Sequence, residues 1–294
     1  MKTDVFIRLF SDTYEQAEMD RDIAESFQSF REFAARFSRF KKESELSQFN
    51  ASEGGKVSSE LFSLLTASAR FHSVTEGVFD PSVLPILEKI GYGGAADVQL
   101  SESAPMGSFA QLIFDEAEQS VHKPKNVFID LGGIGKGYIV DKVACRLMEK
   151  YAHGIVDAGG DMRLFGSDRG QDIDSWAIDV ENPFDTSRPL STLLVTDCAV
   201  ATSGSSRKHW QREGRAYHHL IDPSSGTSAA TGLSQVTVIA SSAMEADVFA
   251  KTLFILGLER GQVFASEKKI PALFVTEEKE VIRNPLMQEY EWKI

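Results

Sequence analysis

The sequence lacks three features that would each point to a particular class of protein. Only two of its 294 residues are cysteines, Cys145 and Cys198, which excludes a disulfide scaffold and predicts two reduced residues in the core. No apolar run approaches the ~18 residues that a membrane-spanning helix requires. No run of lysine or arginine supplies the basic face of a general nucleic-acid-binding protein.

Positive charge is also scarce, and this limits how an anionic ligand could be bound. Lysine and arginine total 31 and aspartate and glutamate total 43, which gives a net charge of −12. An anion would have to be held by backbone N–H groups, a few placed cations or a metal ion. From Met1 to Val5, the polar Thr3 and the acidic Asp4 come before any apolar core of a signal peptide could form, so we expect a cytoplasmic protein with no membrane insertion.

Hydrophobic periodicity predicts an α+β fold in which helices precede most of the strands. Apolar residues at helical spacing indicate a helix over residues 13–40, Ser58 and Ser59 could cap a second, and a short third helix should follow Asp80. Two later helices are predicted at 136–152 and 243–258. Strands are predicted at 109–115, 119–130, 154–158, 174–181, 192–199, 214–221, 234–241 and 271–276.

The arrangement of these elements predicts one domain over residues 1–294. Its helical part covers about residues 1–90 and its strand-rich part about 109–294. The segment 91–108 is rich in glycine, serine and alanine, which is typical of a surface loop.

The most informative stretch runs from Asp130 to Tyr138, where four glycines follow an apolar segment and open an amphipathic helix. Such a turn lets backbone N–H groups approach a phosphate at a helix N-terminus. It is not a P-loop, because Asp130 and Gly137 stand where glycine and a hydroxyl residue are required. It also lacks the third glycine of a dinucleotide-binding fingerprint. The alternative is a tight strand-to-helix turn carrying a surface lysine, Lys136.

Three other motifs remain ambiguous when they are taken singly. The turn from Asp157 to Asp161 places two carboxylates around a glycine pair, which could bind a metal or a ribose or could simply form the turn. The segments 199–206 and 217–223 offer hydroxyls, two histidines and an aspartate, without the spacing of a serine hydrolase or a zinc site. In the helix that begins near Ala243, Asp247 suits the helix dipole, and with Lys251 it could form an ordinary surface pair.

Taken in order, these motifs closely resemble the ApbE-type FAD:protein FMN transferases. The resemblance runs from about residue 36 to the C-terminus. The blocks that carry it are Ser44 to Ser47, Gly77 to Ser82, Asp130 to Asp141, Ala158 to Asp161, Ala199 to Gly204, His219 to Gly226 and Ala243 to Gly257.

The resemblance implies an α+β fold of the flavin-transferase type that binds FAD with magnesium. Members of the family move FMN from FAD onto a Thr or Ser hydroxyl of a target flavoprotein and release AMP. Some members instead hydrolyse FAD, so an FAD pyrophosphatase that yields FMN and AMP is one alternative. A non-catalytic FAD-binding protein with a degraded metal site is the other.

The resemblance also assigns roles to individual residues. His219, and not its neighbour His218, matches the family histidine, and as a neutral imidazole it could serve as the catalytic general base. The metal ligands implied are the carbonyl of Gly135 and the carboxylate of Asp247. The FAD-binding residues implied are Phe40, Val78, Phe79, Asp80, Gly132, Lys136, Tyr138, Asp141, Asp161 and Leu220.

The chain departs from the family pattern in two places. Lys251 stands at a metal-ligand position where the family usually has a hydroxyl residue, and Thr252 follows one position later. An ammonium group cannot coordinate magnesium, so Lys251 could replace the charge of the metal or leave its site weaker. The N-terminus also lacks the Met-Gly-Thr-type strand that typically precedes the first helix, and it has no lipoprotein signal.

Overall fold

The structure is a computed structural model that describes residues 3–93, 107–170, 173–205, 209–212 and 214–292. The helices are α1 (Gln16–Phe37), α2 (Glu45–Asn50), α3 (Ser59–Val74), α4 (Leu84–Lys89), α5 (Gly135–Met148), α6 (Ala243–Glu267) and α7 (Pro285–Gln288). The strands are β1 (Val5–Phe10), β2 (Gly54–Lys56), β3 (Ile113–Asp115), β4 (Ser120–His122), β5 (His153–Ala158), β6 (Asp161–Phe165), β7 (Trp176–Val180), β8 (Ser191–Val195), β9 (Ala199–Gly204), β10 (His209–Arg212), β11 (Arg215–His218), β12 (Ile221–Asp222), β13 (Thr227–Ser228), β14 (Leu233–Ala240), β15 (Ala272–Thr276) and β16 (Val281–Arg283).

The chain divides into two compact units, each built from separate stretches of sequence. Unit 1 comprises Met1–Glu32, Gly135–Ser206 and Thr231–Ile294. Unit 2 comprises Phe33–Ile134 and Arg207–Ala230.

Unit 1 is organised around a seven-stranded sheet in the order β1-β5-β6-β9-β14-β15-β16. Every pair of neighbours in this sheet is antiparallel. Helices α5 and α6 pack on the sheet, α5 against β5 and β6 and α6 chiefly against β9 and β14. The residues of β14 are buried from Leu233 to Ile239, as expected for a central strand covered on both faces.

A second apolar layer of unit 1 is formed by the β7–β8 hairpin. Trp176 and Leu193 of this hairpin pack in one buried cluster with Leu164, Val200 and Leu273 of the large sheet. The indole N–H of Trp176 donates to the carbonyl of Phe165 at 3.2 Å, so its one polar atom is satisfied.

Unit 2 combines short helices with a three-stranded sheet in the order β2-β4-β3. The Ser58 hydroxyl accepts a hydrogen bond from the Leu61 N–H at 3.1 Å and caps α3, as the sequence predicts. Leu61, Leu64 and Leu65 on the same helix are completely buried. A buried apolar cluster of unit 2 joins α4 to β12 and consists of Ile86, Leu87, Ile90 and Ile221.

The α+β class and the predicted order of helices and antiparallel strands are confirmed. The strand predicted at 119–130 is wrong in extent, because only Ser120–His122 pair and Lys123 begins an irregular segment. Although the N-terminus lacks the Met-Gly-Thr-type sequence, a strand does precede the first helix, because β1 pairs in register with β5. Most of the predicted loop at 91–108, residues 94–106, lies outside the described residues.

The helix predicted at 243–258 is followed directly by a second helical stretch. The two together form α6, from Ala243 to Glu267, and the first ends at Gly257, where φ is 77° and ψ is 178°. A left-handed φ is accessible to glycine without the strain of a Cβ atom, so the helix is interrupted there and resumes. Among the residues that the structure describes, no helix is long and apolar enough to cross a bilayer. Cys198 is buried as predicted, whereas Cys145 is exposed, so its predicted place in the core is wrong.

Candidate functional site

The glycine turn predicted to approach a phosphate is held in shape by Asp130, in unit 2. One carboxylate oxygen of Asp130, Oδ1, accepts the N–H of Gly132 at 2.7 Å. A Cβ atom at Gly132 would lie 2.6 Å from that same oxygen, so a side chain there would displace the Asp130 carboxylate. The other oxygen, Oδ2, lies 2.8 Å from Nε of Arg39. The turn is therefore fixed by a buried ion pair.

In unit 1, the glycines of α5 allow that helix to pack closely against the start of α6. Gly135 begins α5 and is buried. A Cβ atom at Gly137 would lie 2.4 Å from Cα of Met244 and 2.5 Å from the carbonyl oxygen of Ala243, which is backbone that cannot yield. The first turn of α5 therefore lies directly against the first turn of α6.

Asp141 links the same two helices. Its two carboxylate oxygens accept the backbone N–H groups of Ala243 at 2.7 Å and of Met244 at 2.9 Å. Burial raises the pKa of Asp141, and these two hydrogen bonds oppose that rise. Because both oxygens hold the start of α6, the structure gives Asp141 a positioning role. Its predicted contact with FAD stays a prediction.

Lys136 and Asp161, both predicted to bind FAD, are brought together in unit 1. The Lys136 ammonium is in direct contact with Oδ2 of Asp161. Asp161 begins β6 and is buried, with 1% of its surface exposed. Lys136 is therefore a half-buried, paired cation rather than the surface lysine of the alternative interpretation. Tyr138 follows it on α5 and is half-buried as well.

Asp247 and Lys251 lie one turn apart on α6 and form an ion pair. Nζ of Lys251 is 3.1 Å from Oδ1 of Asp247, and the two side chains are 14% and 4% exposed. Oδ2 of Asp247 is buried and, within the described part of the chain, has no hydrogen-bond partner. Such an oxygen is suited to a hard cation, since a buried carboxylate oxygen is normally satisfied.

Unit 2 carries a group of stacked side chains that we call the aromatic cluster: Arg39, Phe40, Tyr92, Trp210 and His219. The Tyr92 ring stacks on His219 with centroids 5.9 Å apart and on Trp210 with centroids 5.3 Å apart. The guanidinium of Arg39 lies 4.3 Å from the ring centroid of Phe40 and 5.3 Å from that of Tyr92. Phe40 is 64% exposed, which leaves a broad aromatic surface for a planar ligand.

The two adjacent histidines have different surroundings, as the sequence predicts. Nδ1 of His218 accepts the N–H of Leu220 at 3.3 Å, and Nε2 lies 2.9 Å from the carbonyl oxygen of Ala229. Both ring nitrogens are thus used within unit 2, and burial lowers the pKa of His218. Its neighbour His219 lies just beyond β11 and joins the aromatic cluster, and Leu220 is completely buried.

The predicted residues at 78–80 form a tight turn in unit 2. The Phe79 N–H donates to the Thr75 hydroxyl at 3.1 Å, which anchors the turn to α3. Phe79 is buried and Val78, just before it, is half-buried. The turn is therefore a rigid part of the unit.

Asp80 at the end of that turn has both carboxylate oxygens engaged. Oδ1 accepts the Ser82 N–H at 2.7 Å, and Oδ2 lies 3.6 Å from Nε2 of His72. Burial opposes the ionisation of Asp80, but the hydrogen bonds from His72 and Ser82 outweigh it, and the pKa of Asp80 falls below its usual value. Asp80 is an ionised cap of the following helical turn.

The sequence does not single out four residues of the candidate site that the structure reveals: Arg39, Tyr92, Trp210 and His72. The signal for Tyr92 is its position between Gly91 and Gly93, both of which have φ near 90°. Glycine adopts this left-handed backbone without strain, so the two glycines allow the turns on either side of the Tyr92 ring. Arg39 pairs with Asp130 and Trp210 stacks on Tyr92, both distant in sequence, so no local pattern indicates these contacts. His72 and Asp80 are closer in sequence, but their spacing is not that of a regular helix or strand pair.

The comparisons with known proteins agree on one family. The model of the ApbE family matches residues 1–274. The FAD:protein FMN transferase of Vibrio cholerae is 33% identical over 81% of this chain and 74% of its own length. That of Treponema pallidum is 30% identical over 90% of this chain and 80% of its own length.

Solved structures give the same result for the fold. The crystal structure of the ApbE protein of Thermotoga maritima matches with a TM-score of 0.88 at 26% identity, over 99% of this chain and 96% of that one. The flavin transferase ApbE of Vibrio cholerae matches with a TM-score of 0.83 at 27% identity, with the same coverage. The predicted flavin-transferase type of α+β fold is confirmed.

Proposed function

The chain belongs to the ApbE family, and from that premise we propose that it transfers FMN from FAD to a Thr or Ser hydroxyl of a target flavoprotein and releases AMP. The curated relatives are named FAD:protein FMN transferases. The substrate, the protein acceptor and the magnesium requirement are all parts of this proposal.

The observation that carries the proposal is the burial and incomplete hydrogen bonding of the Asp247 side chain. This carboxylate is buried in unit 1 on the helix whose first turn packs against the first turn of α5. The N-terminus of a helix favours phosphate, whereas a carboxylate repels it unless a cation lies between the two. Asp247 has one oxygen that lacks a hydrogen-bond donor among the described residues, and its helix packs against the start of α5. This arrangement supports a pyrophosphate neutralised by a cation.

The residues are compatible with a magnesium ion. Asp247 would supply one carboxylate oxygen, and the family resemblance adds the Gly135 carbonyl. Within the described residues no group of three or more His, Cys, Asp or Glu side chains could hold a metal. Mg²⁺ in nucleotide sites is commonly held by one or two carboxylates together with phosphate oxygens. When bound, the ion would neutralise charge on the pyrophosphate.

The remaining chemistry falls to the side chains of this chain. The acceptor hydroxyl oxygen forms a bond to the phosphorus of the FMN moiety, while the bond from that phosphorus to the bridging oxygen breaks and AMP leaves. We assign the removal of the hydroxyl proton to His219, whose ring is held by stacking on Tyr92. Lys136 and the N–H groups at the start of α5 are assigned to the phosphates, and Phe40 to the flavin ring.

The test uses the purified full chain with FAD, Mg²⁺ and a flavoprotein that the Vibrio cholerae relative modifies. AMP and FMN are measured by chromatography, and covalent flavin on the acceptor is measured by in-gel fluorescence. Transfer predicts AMP only when the acceptor is present, together with a fluorescent acceptor. AMP and free FMN without acceptor would show a pyrophosphatase, and bound but intact FAD would show a non-catalytic binding protein.

A pair of matched variants ties the activity to the site. Asp247→Asn preserves the shape of the side chain and removes its charge, so transfer should be lost while the protein still folds. Asp185→Asn removes the same charge from an exposed loop and should leave transfer unchanged. Equal activity of the two variants would contradict the assignment of Asp247.

A further inference from the structure

Only one of the two oxygens of the Asp247 carboxylate has a hydrogen-bond partner among the described residues. Oδ1 receives Nζ of Lys251 at 3.1 Å, and Oδ2 has no hydrogen-bond partner among the residues described. With 4% of its side chain exposed, Asp247 is almost entirely removed from bulk water. Burying an unpaired carboxylate is costly, and the Lys251 ammonium offsets that cost.

The position of Lys251 makes it a permanent neighbour of this carboxylate. Residues four apart on a helix lie on the same face, and the two side chains are held within α6 rather than on a mobile loop. The Lys251 ammonium offers three N–H donors and no lone pair, so it can neutralise Asp247 but cannot ligate a metal. It also repels any divalent ion that approaches Oδ2.

We propose that Lys251 is the resident counter-cation of Asp247 and that it makes magnesium binding depend on the nucleotide. Without a nucleotide, Lys251 alone balances Asp247 and the protein has little affinity for Mg²⁺. A pyrophosphate adds negative charge and oxygen ligands, which offset the repulsion from Lys251. The inference rests on the proposed function in naming FAD as that nucleotide, whereas its statement about the metal alone does not.

The test measures metal binding directly, without turnover. Mn²⁺ serves as the probe, and free Mn²⁺ is followed by electron paramagnetic resonance in titrations of the full chain with and without FAD. The parent protein should bind Mn²⁺ weakly alone and more tightly with FAD. Lys251→Thr should lower the dissociation constant for Mn²⁺ alone by about tenfold or more, because one positive charge is removed and a hydroxyl is added.

Three further variants decide the interpretation. Lys251→Met removes the charge without adding a ligand and should also tighten Mn²⁺ binding, so the result does not depend on the folding of one variant. Asp247→Asn in the Lys251→Thr background should abolish the gain. Lys125→Thr removes the same charge beside Glu53, in a pair whose side chains are 83% and 64% exposed, and should change nothing.

The outcomes separate this inference from the proposed function. Mn²⁺ affinity that is equal in the parent, Lys251→Thr and Lys125→Thr proteins would overturn the role of Lys251. A gain that survives Asp247→Asn would overturn the site. If the affinities change as expected but no FMN is ever transferred, the proposed function fails and the assignment of Lys251 stands.

Discussion

The Tyr92 ring lies against the His219 imidazole with 5.9 Å between the ring centroids and 24° between their planes. Stacking of this kind restricts the rotation of an imidazole without using either of its nitrogens. A base must be aimed at the proton that it removes, so the orientation of His219 should matter separately from its presence.

The first prediction therefore compares the two rings. His219→Ala should fold, bind FAD and lose transfer activity by the ~10²–10⁴-fold that general bases typically contribute. Tyr92→Leu should leave the base in place and reduce kcat by a smaller factor. Tyr217→Leu is the control, because it removes the same kind of ring from a stack on Trp210. A Tyr92→Leu protein with unchanged kcat would show that the stack does not position His219.

The second prediction concerns His218, which should affect stability rather than catalysis. Its ring bridges the Leu220 N–H and the Ala229 carbonyl, so His218→Ala should lower the free energy of unfolding by about 1–3 kcal/mol. Transfer activity per folded molecule should change far less than in His219→Ala. Chemical denaturation and initial rates measure the two effects.

The same residue predicts a pH dependence of stability. Burial lowers the pKa of His218 below its usual value of 6.5, so below that pH the unfolded chain binds a proton more readily than the folded one. The stabilising contribution of His218 is complete above the unfolded pKa and is lost as the pH falls through the lower, folded pKa. The difference in unfolding free energy between the parent and His218→Gln should shrink over this range.

The third prediction concerns the carboxylate that joins α5 to α6. Asp141→Ala removes both acceptors from the first turn of α6 and should destabilise the protein by about 1.5–3 kcal/mol. Asp141→Asn keeps one acceptor oxygen and should be milder. Asp185→Ala, in an exposed loop, should stay within about 0.5 kcal/mol of the parent. An Asp141→Ala protein as stable as this control would contradict the positioning role.

The fourth prediction concerns the close approach of the same helices. Gly137→Ala would place a Cβ atom 2.4 Å from Cα of Met244, so the helices must separate, at a cost of about 1–3 kcal/mol. Cys145→Ala on the exposed side of α5 is the control, with little expected change in melting temperature. FAD affinity, measured by fluorescence titration, should fall only in the glycine variant.

The sequence predicts what depends on neighbouring residues and misses what depends on distant ones. The capped start of α3 follows from Ser58 and the apolar spacing after it, and the strand from Trp176 to Val180 follows from alternation. In contrast, β1 is stabilised by pairing with β5, whose residues lie far along the chain. The apolar and aromatic residues from Val5 to Phe10 favour a strand locally, but nothing near them in sequence identifies its partner.

In the candidate site, too, the features that depend on local spacing can be predicted and those that depend on distant residues cannot. The glycine turn, the distinction between His218 and His219, and the Asp247–Lys251 pair all follow from spacing within one segment. The Lys136–Asp161 contact and the cap that Asp141 forms on α6 need residues from different segments. Side chains of that kind can be recognised as chemically capable from the sequence, but their partners cannot.

The register of β1 has a consequence for how the protein is made. Val5 pairs with Ala158 and Phe10 with His153, so β1 leaves the ribosome well before the strand with which it pairs. At ~5–20 residues per second this interval lasts roughly 7–30 s. Throughout it, the backbone of β1 presents an unpaired strand edge that can pair with other chains. Nascent chains that stall before residue 153 should therefore aggregate or engage chaperones, whereas longer chains can close the edge themselves.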